Sequence, residues 1–192
     1  GVELLTEGGA IRAETVVVAS NHPLPAFKPL RRHFEAREAF CVLTPPVPSF
    51  VRREFGRSRG IVIDHDDPPH VFRRTSDERV LILGADGPGV PARSREKAMV
   101  QRTGQLMYEL SKLYPAIAGT KPEYGWFVPV STAPDGFVCI GPHRNYPRHL
   151  FALGSGHNGV ASAYLAARVL LRQYFGAPDK GDDLFGFARL LG

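Results

Sequence analysis

The residues best placed to do chemistry form one short run, Gly154-Ser155-Gly156-His157-Asn158-Gly159, followed by Val160. Its glycines stand at the spacing GxGxxG, between an apolar strand candidate, Leu150-Phe151-Ala152-Leu153, and a helical stretch from about Asn158 to Phe175. Glycines there let a ligand approach the backbone, and the free N–H groups of a helix start attract negative charge or a carbonyl dipole. The same spacing marks dinucleotide-binding units, but such a unit needs a further strand ending in an acidic residue. Only 17 residues follow Phe175, and they read as Gly-Pro-Asp turns and a short helical tail, Leu184 to Leu191. A tight strand-to-helix turn without a ligand is the alternative. His157 is placed either to transfer a proton or to hydrogen-bond within the turn.

Other candidates are more dispersed. Trp126, the single tryptophan, reads as core packing or as one wall of an apolar substrate pocket. Arg73 and Arg74 fall on one strand candidate, so alternation sends one side chain to each sheet face, and one of the two can look toward a substrate. The segment Asp64-His65-Asp66-Asp67-Pro68-Pro69-His70 holds metal-ligand types without tetrahedral, facial or cation-loop spacing. It reads as a solvated turn, and no metal is expected. No GxSxG surrounds any serine, so Ser20 and His22 make no nucleophilic pair.

These residues need elements to hold them. With 192 residues, 43% hydrophobic and 22% charged, the chain has the composition of a soluble globular protein, which excludes wholesale disorder and coiled coil. Twenty glycines and 17 prolines without period favour a turn-rich α/β or α+β fold. The most apolar run, Val160 to Leu171, is cut by Ser162 and Arg168, short of the ~18 apolar residues of a membrane helix. Cys41 and Cys139 make neither a disulfide framework nor a CxxC motif, so a reducing, cytoplasmic compartment is the default. The net charge of +5 comes from basic residues scattered in pairs such as Arg31-Arg32 and Arg52-Arg53. No nucleic-acid module accompanies them, and a weak preference for anionic small molecules is all they support.

Along the chain, Val2 to Thr6 and Ile11 to Ala19 read as a hairpin around Glu7-Gly8-Gly9. The run Thr15 to Ala19 suits a strand covered on both faces, as in a parallel sheet. No initiator methionine, signal peptide or lead-in segment precedes it, so the chain reads as the later part of something longer. Pro23, Pro25 and Pro29 block helix and ladder pairing and mark a crossing into a second region. There, strand candidates at Arg37 to Thr44, Gly60 to Ile63, Val71 to Thr75 and Val80 to Gly84 imply a mostly antiparallel sheet. One long helix follows, with Ser94 as N-cap, Met99, Leu106, Leu110 and Leu113 on its stripe, and Pro115 at its end. Strand signals return at Glu123 to Pro129, Phe137 to Ile140 and Leu150 to Leu153.

Two segments in order, Thr132-Ala133-Pro134-Asp135-Gly136-Phe137-Val138-Cys139-Ile140-Gly141-Pro142 and Leu150 to Val160, resemble the C-terminal signature of the D-amino-acid-oxidase-like FAD-dependent oxidoreductases. Val16-Val17-Val18-Ala19-Ser20-Asn21, Phe72-Arg73-Arg74-Thr75 with Arg79 to Gly84, and Tyr124-Gly125-Trp126 are similar to the same family. The likeness runs from about residue 10 to 190. It implies an FAD-binding domain split in sequence, of which 1–22 and 146–178 are the remnant, with 23–145 as substrate-binding domain and 179–192 as tail.

By that resemblance Gly154, Ser155, Gly156, His157, Asn158, Gly159 and Val160 lie beside the pyrimidine edge of the flavin, where helix N–H groups stabilise the charge arriving with a hydride. His157, Trp126 and Arg73 are the candidate catalytic residues. The expected substrate is a small amine or amino-acid-like molecule, and the expected partners are the N-terminal FAD-binding half, which has no counterpart here, and a second copy through exposed sheet. The chain alone is expected to be inactive and to lack FAD. The arginine with which several relatives grip a substrate carboxylate is missing from both the Trp126 to Asp135 segment and the glycine loop, which counts against an α-amino acid. A flavin-free binding or interaction domain is the alternative function.

Overall fold

The computed structural model describes residues 1–56, 60–66 and 68–191. In chain order the elements are β1 (Val2–Thr6), β2 (Gly9–Ala13), β3 (Val16–Asn21), β4 (Glu35–Leu43), α1 (Ser49–Glu54), β5 (Val62–Ile63), β6 (Val71–Arg74), β7 (Val80–Pro88), α2 (Arg95–Leu113), β8 (Tyr124–Thr132), β9 (Cys139–His143), β10 (Tyr146–Leu153) and α3 (Gly159–Tyr174). They form two units, residues 1–36 with 130–192 and residues 37–129. This is a mixed α/β fold with the expected strands, the expected long helix and an antiparallel second sheet.

The first unit is layered around a three-stranded sheet of order β3-β10-β9, in which β10 runs parallel to β3 and antiparallel to β9. Alternation along each strand divides its apolar residues between two cores. Val18, Phe151, Leu153 and Cys139 face one side, where Leu30 and Phe187 close over them. Ile140 and Leu150 face the other, against Ala166, Val169 and Leu170 of α3. The β1–β2 hairpin turns at Glu7-Gly8, but the run Ile11 to Ala19 is not its single second arm: β2 ends at Ala13, and β3, from Val16, pairs with β10 in another sheet.

Three further expectations for this unit are corrected. The prolines do not exclude helix: Pro25–His33 is 3-10 helix broken at Phe27 (φ −108°, ψ 52°). The break leaves Pro25 and Pro29 each in an opening turn, where a missing N–H costs nothing. The β3 run is not covered on both faces, because Val17 is 58% exposed at the sheet edge. The tail is two 3-10 turns, Asp182–Phe185 and Phe187–Leu191, rather than one helix, with Gly186 between them in an extended conformation.

In the second unit the sheet order is β5-β6-β7-β4-β8, and the β4–β7, β5–β6 and β6–β7 pairs are antiparallel. Phe40, Val42, Phe72, Val80 and Ile82 pack against Leu106, Met107 and Leu110 of α2. Ser94 precedes α2 but makes no side-chain cap, because its backbone belongs to the 3-10 turn Ala92–Ser94. The lost cap is worth about 1 kcal/mol. Burial of the α2 stripe, roughly 1.5–3 kcal/mol per large side chain, outweighs it. The short α1 lies between the strand candidates that end at Thr44 and begin at Gly60, and its single buried side chain, Val51, leaves too little periodicity to reveal it.

Candidate functional site

Asn21 ends β3 with a left-handed backbone (φ 59°), which asparagine tolerates better than other side chains. That bend turns its carboxamide onto the glycine loop. Its Oδ1 accepts hydrogen bonds from the Ser155 N–H (2.8 Å) and the Ser155 hydroxyl (2.7 Å), and its backbone carbonyl accepts from the Gly154 N–H (2.6 Å). From the other side the Gly156 N–H donates to the Ser131 carbonyl (2.9 Å), next to an isolated bridge between Thr132 and Ser155. The loop is thus clamped between β3 and the end of β8. Ser155, at the centre of the clamp, is positioned by residues far from it in sequence.

The glycines are required first by packing within the chain. Gly154 (φ 77°) has the Phe34 ring where a Cβ would stand, 2.6 Å away, and Gly156 (φ 55°) has the Thr132 methyl at 2.9 Å. Gly159, by contrast, opens α3 with clear space around it, its nearest neighbour being the Ser155 hydroxyl at 4.0 Å. Asn158 makes no side-chain cap and α3 has no acidic residue in its first turn. The opening amides of α3, those of Gly159, Val160 and Ala161, have no intrahelical acceptor by geometry and carry the positive end of the helix dipole. His157, Asn158, Gly159 and Val160 are all exposed, Val160 at 90%. An uncapped, accessible helix start of this kind fits a group that gains negative charge.

The remaining predicted residues lie in the second unit. Gly125 of β8 packs toward Thr103 and Met99 of α2, so alternation puts Trp126 on the opposite sheet face, 38% exposed rather than in the core. Phe72 of β6 is in the α2 core, so Arg73 also lies on that opposite face, exposed. Arg74 is the tucked one, its side chain 11% exposed beside Glu78. Trp126 and Arg73 share a sheet face without touching, since β7 and β4 separate their strands and three strand spacings span roughly 14 Å.

Asp64, Asp66 and His70 bring ligand-type atoms within 4.8 Å of one another. The set is closed on itself: His70 Nδ1 lies 2.8 Å from Asp64 Oδ2, the Asp64 carboxylate also accepts from two backbone N–H groups, and the His70 ring packs on Gly84. Despite the cost of partial burial, these bonds hold the Asp64 carboxyl below its usual range. Cys41 and Cys139 are buried and unbridged, and burial pushes both thiols up to about 11, so they are inert. Among the described residues no helix is long and apolar enough to cross a membrane.

Sequence reasoning missed Asn21, Phe34 and Ser131 as parts of this site. The one signal for Asn21 was an asparagine at the end of an apolar strand, a frequent left-handed position.

Known structures share this fold. The fold matches glycine oxidase from Geobacillus kaustophilus (TM-score 0.69, 22% identity), over 98% of this chain and 47% of that one. L-proline dehydrogenase from P. horikoshii matches with TM-score 0.67 and 18% identity, over 93% of this chain and 47% of that one. L-amino acid deaminase from Proteus myxofaciens matches with TM-score 0.68 and 15% identity, over 97% and 52%. The chain spans about half the length of these structures. No curated protein sequence matches it. The sequence model of the FAD dependent oxidoreductases, DAO, matches residues 1–173, and the chain belongs to that family.

Proposed function

We propose that this chain is the later half of an FAD-dependent oxidoreductase that oxidises the C–N bond of an amine or amino-acid-like substrate. Family membership supports the cofactor and the reaction type. The observation that carries the site is the Asn21–Ser155 clamp, which holds the uncapped start of α3 open. When bound, FAD supplies the hydride acceptor. Gly154 to Val160 would hold it. The amides of Gly159, Val160 and Ala161 stabilise negative charge in a fixed position, without reorganisation at the moment of transfer. His157, exposed at the mouth of the loop, holds or moves a proton. The Trp126 and Arg73 face of the second sheet provides an aromatic surface and a cation for substrate.

In this proposal residues 1–22 and 146–178 belong to the FAD-binding domain, 23–145 bind substrate and 179–192 are a tail. The 192-residue chain by itself retains FAD weakly and turns over nothing, because pyrophosphate and ribose contacts come from an N-terminal half. The two buried, unbridged thiols support a reducing, cytoplasmic setting.

Two variants of the complete protein test the site. Gly156→Val drives side-chain atoms into the Thr132 methyl at a positive φ, so flavin content should fall several-fold while the second sheet stays folded. His157→Ala should keep flavin bound and alter the pH profile of flavin reduction by an amine substrate. Wild-type flavin content in the first and an unmoved pH profile in the second would reduce the loop to a turn.

A further inference from the structure

A cavity lies at the far end of the three-stranded sheet of the first unit, away from the clamp. Thr15, just before β3, lines it, whereas Asn21 at the end of β3 makes the clamp, and a six-residue strand spans about 20 Å. Its volume of about 870 Å³ is within the range of small-molecule sites. Glu14, Asp182 and Asp183 line it, and among the described residues no lysine, arginine or histidine does, in a chain whose net charge is +5. Asp182 is already committed, its carboxylate accepting from the Arg172 guanidinium and the Asp179 N–H. Glu14 and Asp183 are exposed.

The end of α3 adds neutral acceptors. The N–H groups of Phe175 and Gly176 donate to the Gln173 carbonyl, that of Ala177 to Arg172, and that of Asp179 to the Asp182 carboxylate, while Pro178 has none. The carbonyls of Tyr174 and Phe175 therefore have no donor among the four residues that follow each, and they stand at the negative end of the helix dipole. Gln173 lines the same cavity with its carboxamide over Gly141, and its Oε1 is shielded from solvent without a hydrogen-bond partner. A buried acceptor left unpaired is costly, and a ligand N–H would satisfy it. Tyr174 and Phe175 present exposed rings, edge-on with centroids 5.3 Å apart.

We infer that this cavity binds the ammonium group of a primary alkylamine. The three neutral oxygens call for N–H donors, which a primary ammonium has and a quaternary one lacks. Two aromatic rings and two uncommitted carboxylates attract its positive charge, and Pro142 and Pro147 give the alkyl chain an apolar wall. A bare metal ion does not suit the cavity. Among the described residues only Asp64, Asp66 and His70 bring three ligand atoms within 4.8 Å of one another, so Glu14, Asp182 and Asp183 do not converge on one ion. The helix α3 thus offers its two ends to ligands of opposite sign: its start to the group that gains negative charge in the proposed function, and its other end, 16 residues and about 24 Å away, to a cation. An amine held at that distance from the glycine loop is not oxidised there. The site is separate from the substrate's and stands whether or not the proposed function does.

The test is a titration of the 192-residue chain, followed by its amide resonances in NMR, with n-butylammonium chloride, tetramethylammonium chloride and n-butanol at matched ionic strength. Butylammonium should shift the Gln173 side-chain amide and the Gly176 and Asp183 backbone amides to saturation, with a Kd on the order of millimolar. Tetramethylammonium should bind about fivefold more weakly for want of donors, and butanol should be silent. Glu14→Gln and Asp183→Asn, both at exposed positions, should each weaken butylammonium several-fold. Nα-acetyl-lysine amide separates two sources of the same chemistry: binding tighter than that of butylammonium assigns the site to a lysine side chain of another protein, and binding no tighter assigns it to a free amine. Equal response to butylammonium and butanol, tighter binding of tetramethylammonium, or unchanged affinity in both variants would overturn the site. Shifts centred on the Ser155 and Gly156 amides would overturn it too, by placing the amine at the proposed flavin edge. Flavin reduction in the complete protein tests the function separately, and its failure would leave this cavity untouched.

Discussion

Asn21 carries more of the site than any glycine of the loop. One side chain in a left-handed backbone satisfies both the N–H and the hydroxyl of Ser155, 134 residues away. Asn21→Ala leaves those donors without their acceptor and places a residue of lower tolerance at positive φ, so the expected loss is about 2–4 kcal/mol. Asn21→Asp keeps an acceptor and the tolerance, and should fall within about 1 kcal/mol of the parent; Asn21→Gly relieves the backbone alone and should lie between. Urea midpoints of the three variants decide it, and equal stability for alanine and aspartate would mean that the clamp contributes nothing. The glycines were legible as a pattern, since GxGxxG stands out in any reading. Their cause was not, because the Phe34 ring and Thr132 methyl that demand them come from other segments.

At the scale of elements, the 3-10 segment Pro25–His33 and β9 bring two histidines together in the interior of the first unit. His33 and His143 are 6% and 1% exposed, with ring centroids 5.7 Å apart. Burial is the main cause that lowers both pKa values below 6.5, aided for His33 by Arg32 and Arg144, and for His143 by His33 and the same two arginines. Both are neutral in the folded chain at pH 7. The unfolded chain binds their protons as pH falls below about 6.5, so the stability tied to them is complete above 6.5 and declines on acidification, by at most about 1.4 kcal/mol per histidine per pH unit. Thermal midpoints should therefore drop between pH 7.5 and 5.5. His33→Gln should flatten that slope; an unchanged slope would place the acid sensitivity elsewhere. The 3-10 segment itself was hidden by its prolines, which read as breakers until the break at Phe27 shows each opening its own turn.

At the scale of the molecule, β3 is an edge strand whose Val17 is 58% exposed, and Val17 and Ala19 line a cleft with the small residues Ala163, Ala166 and Ala167 of α3. An unpaired edge beside an uncovered apolar face is a surface that other chains complete. For the 192-residue chain alone, sedimentation at high concentration should show a dimer or larger species, and Val17→Lys should shift it toward monomer. A clean monomer in the parent would count against the exposed sheet as an association surface.

The sequence by itself determined the local elements with strong periodicity, the α2 stripe apart from the exposed Leu113, the turn of the β1–β2 hairpin and the strand that leads through the glycine loop into α3, because their signals are neighbours along the chain. It also carried the family, through motifs in the right order. Tertiary structure alone decided what holds the loop and what lies beside it. Asn21, Phe34, Thr132 and Ser131 meet Gly154 to Gly156 across more than a hundred residues or from a separate strand, and no local spacing encodes such contacts. The same holds for Arg31 and Arg32, a charged pair in sequence that only folding brings to a cavity that Ser131 also lines. Long-range packing chooses among the partners that local chemistry leaves open.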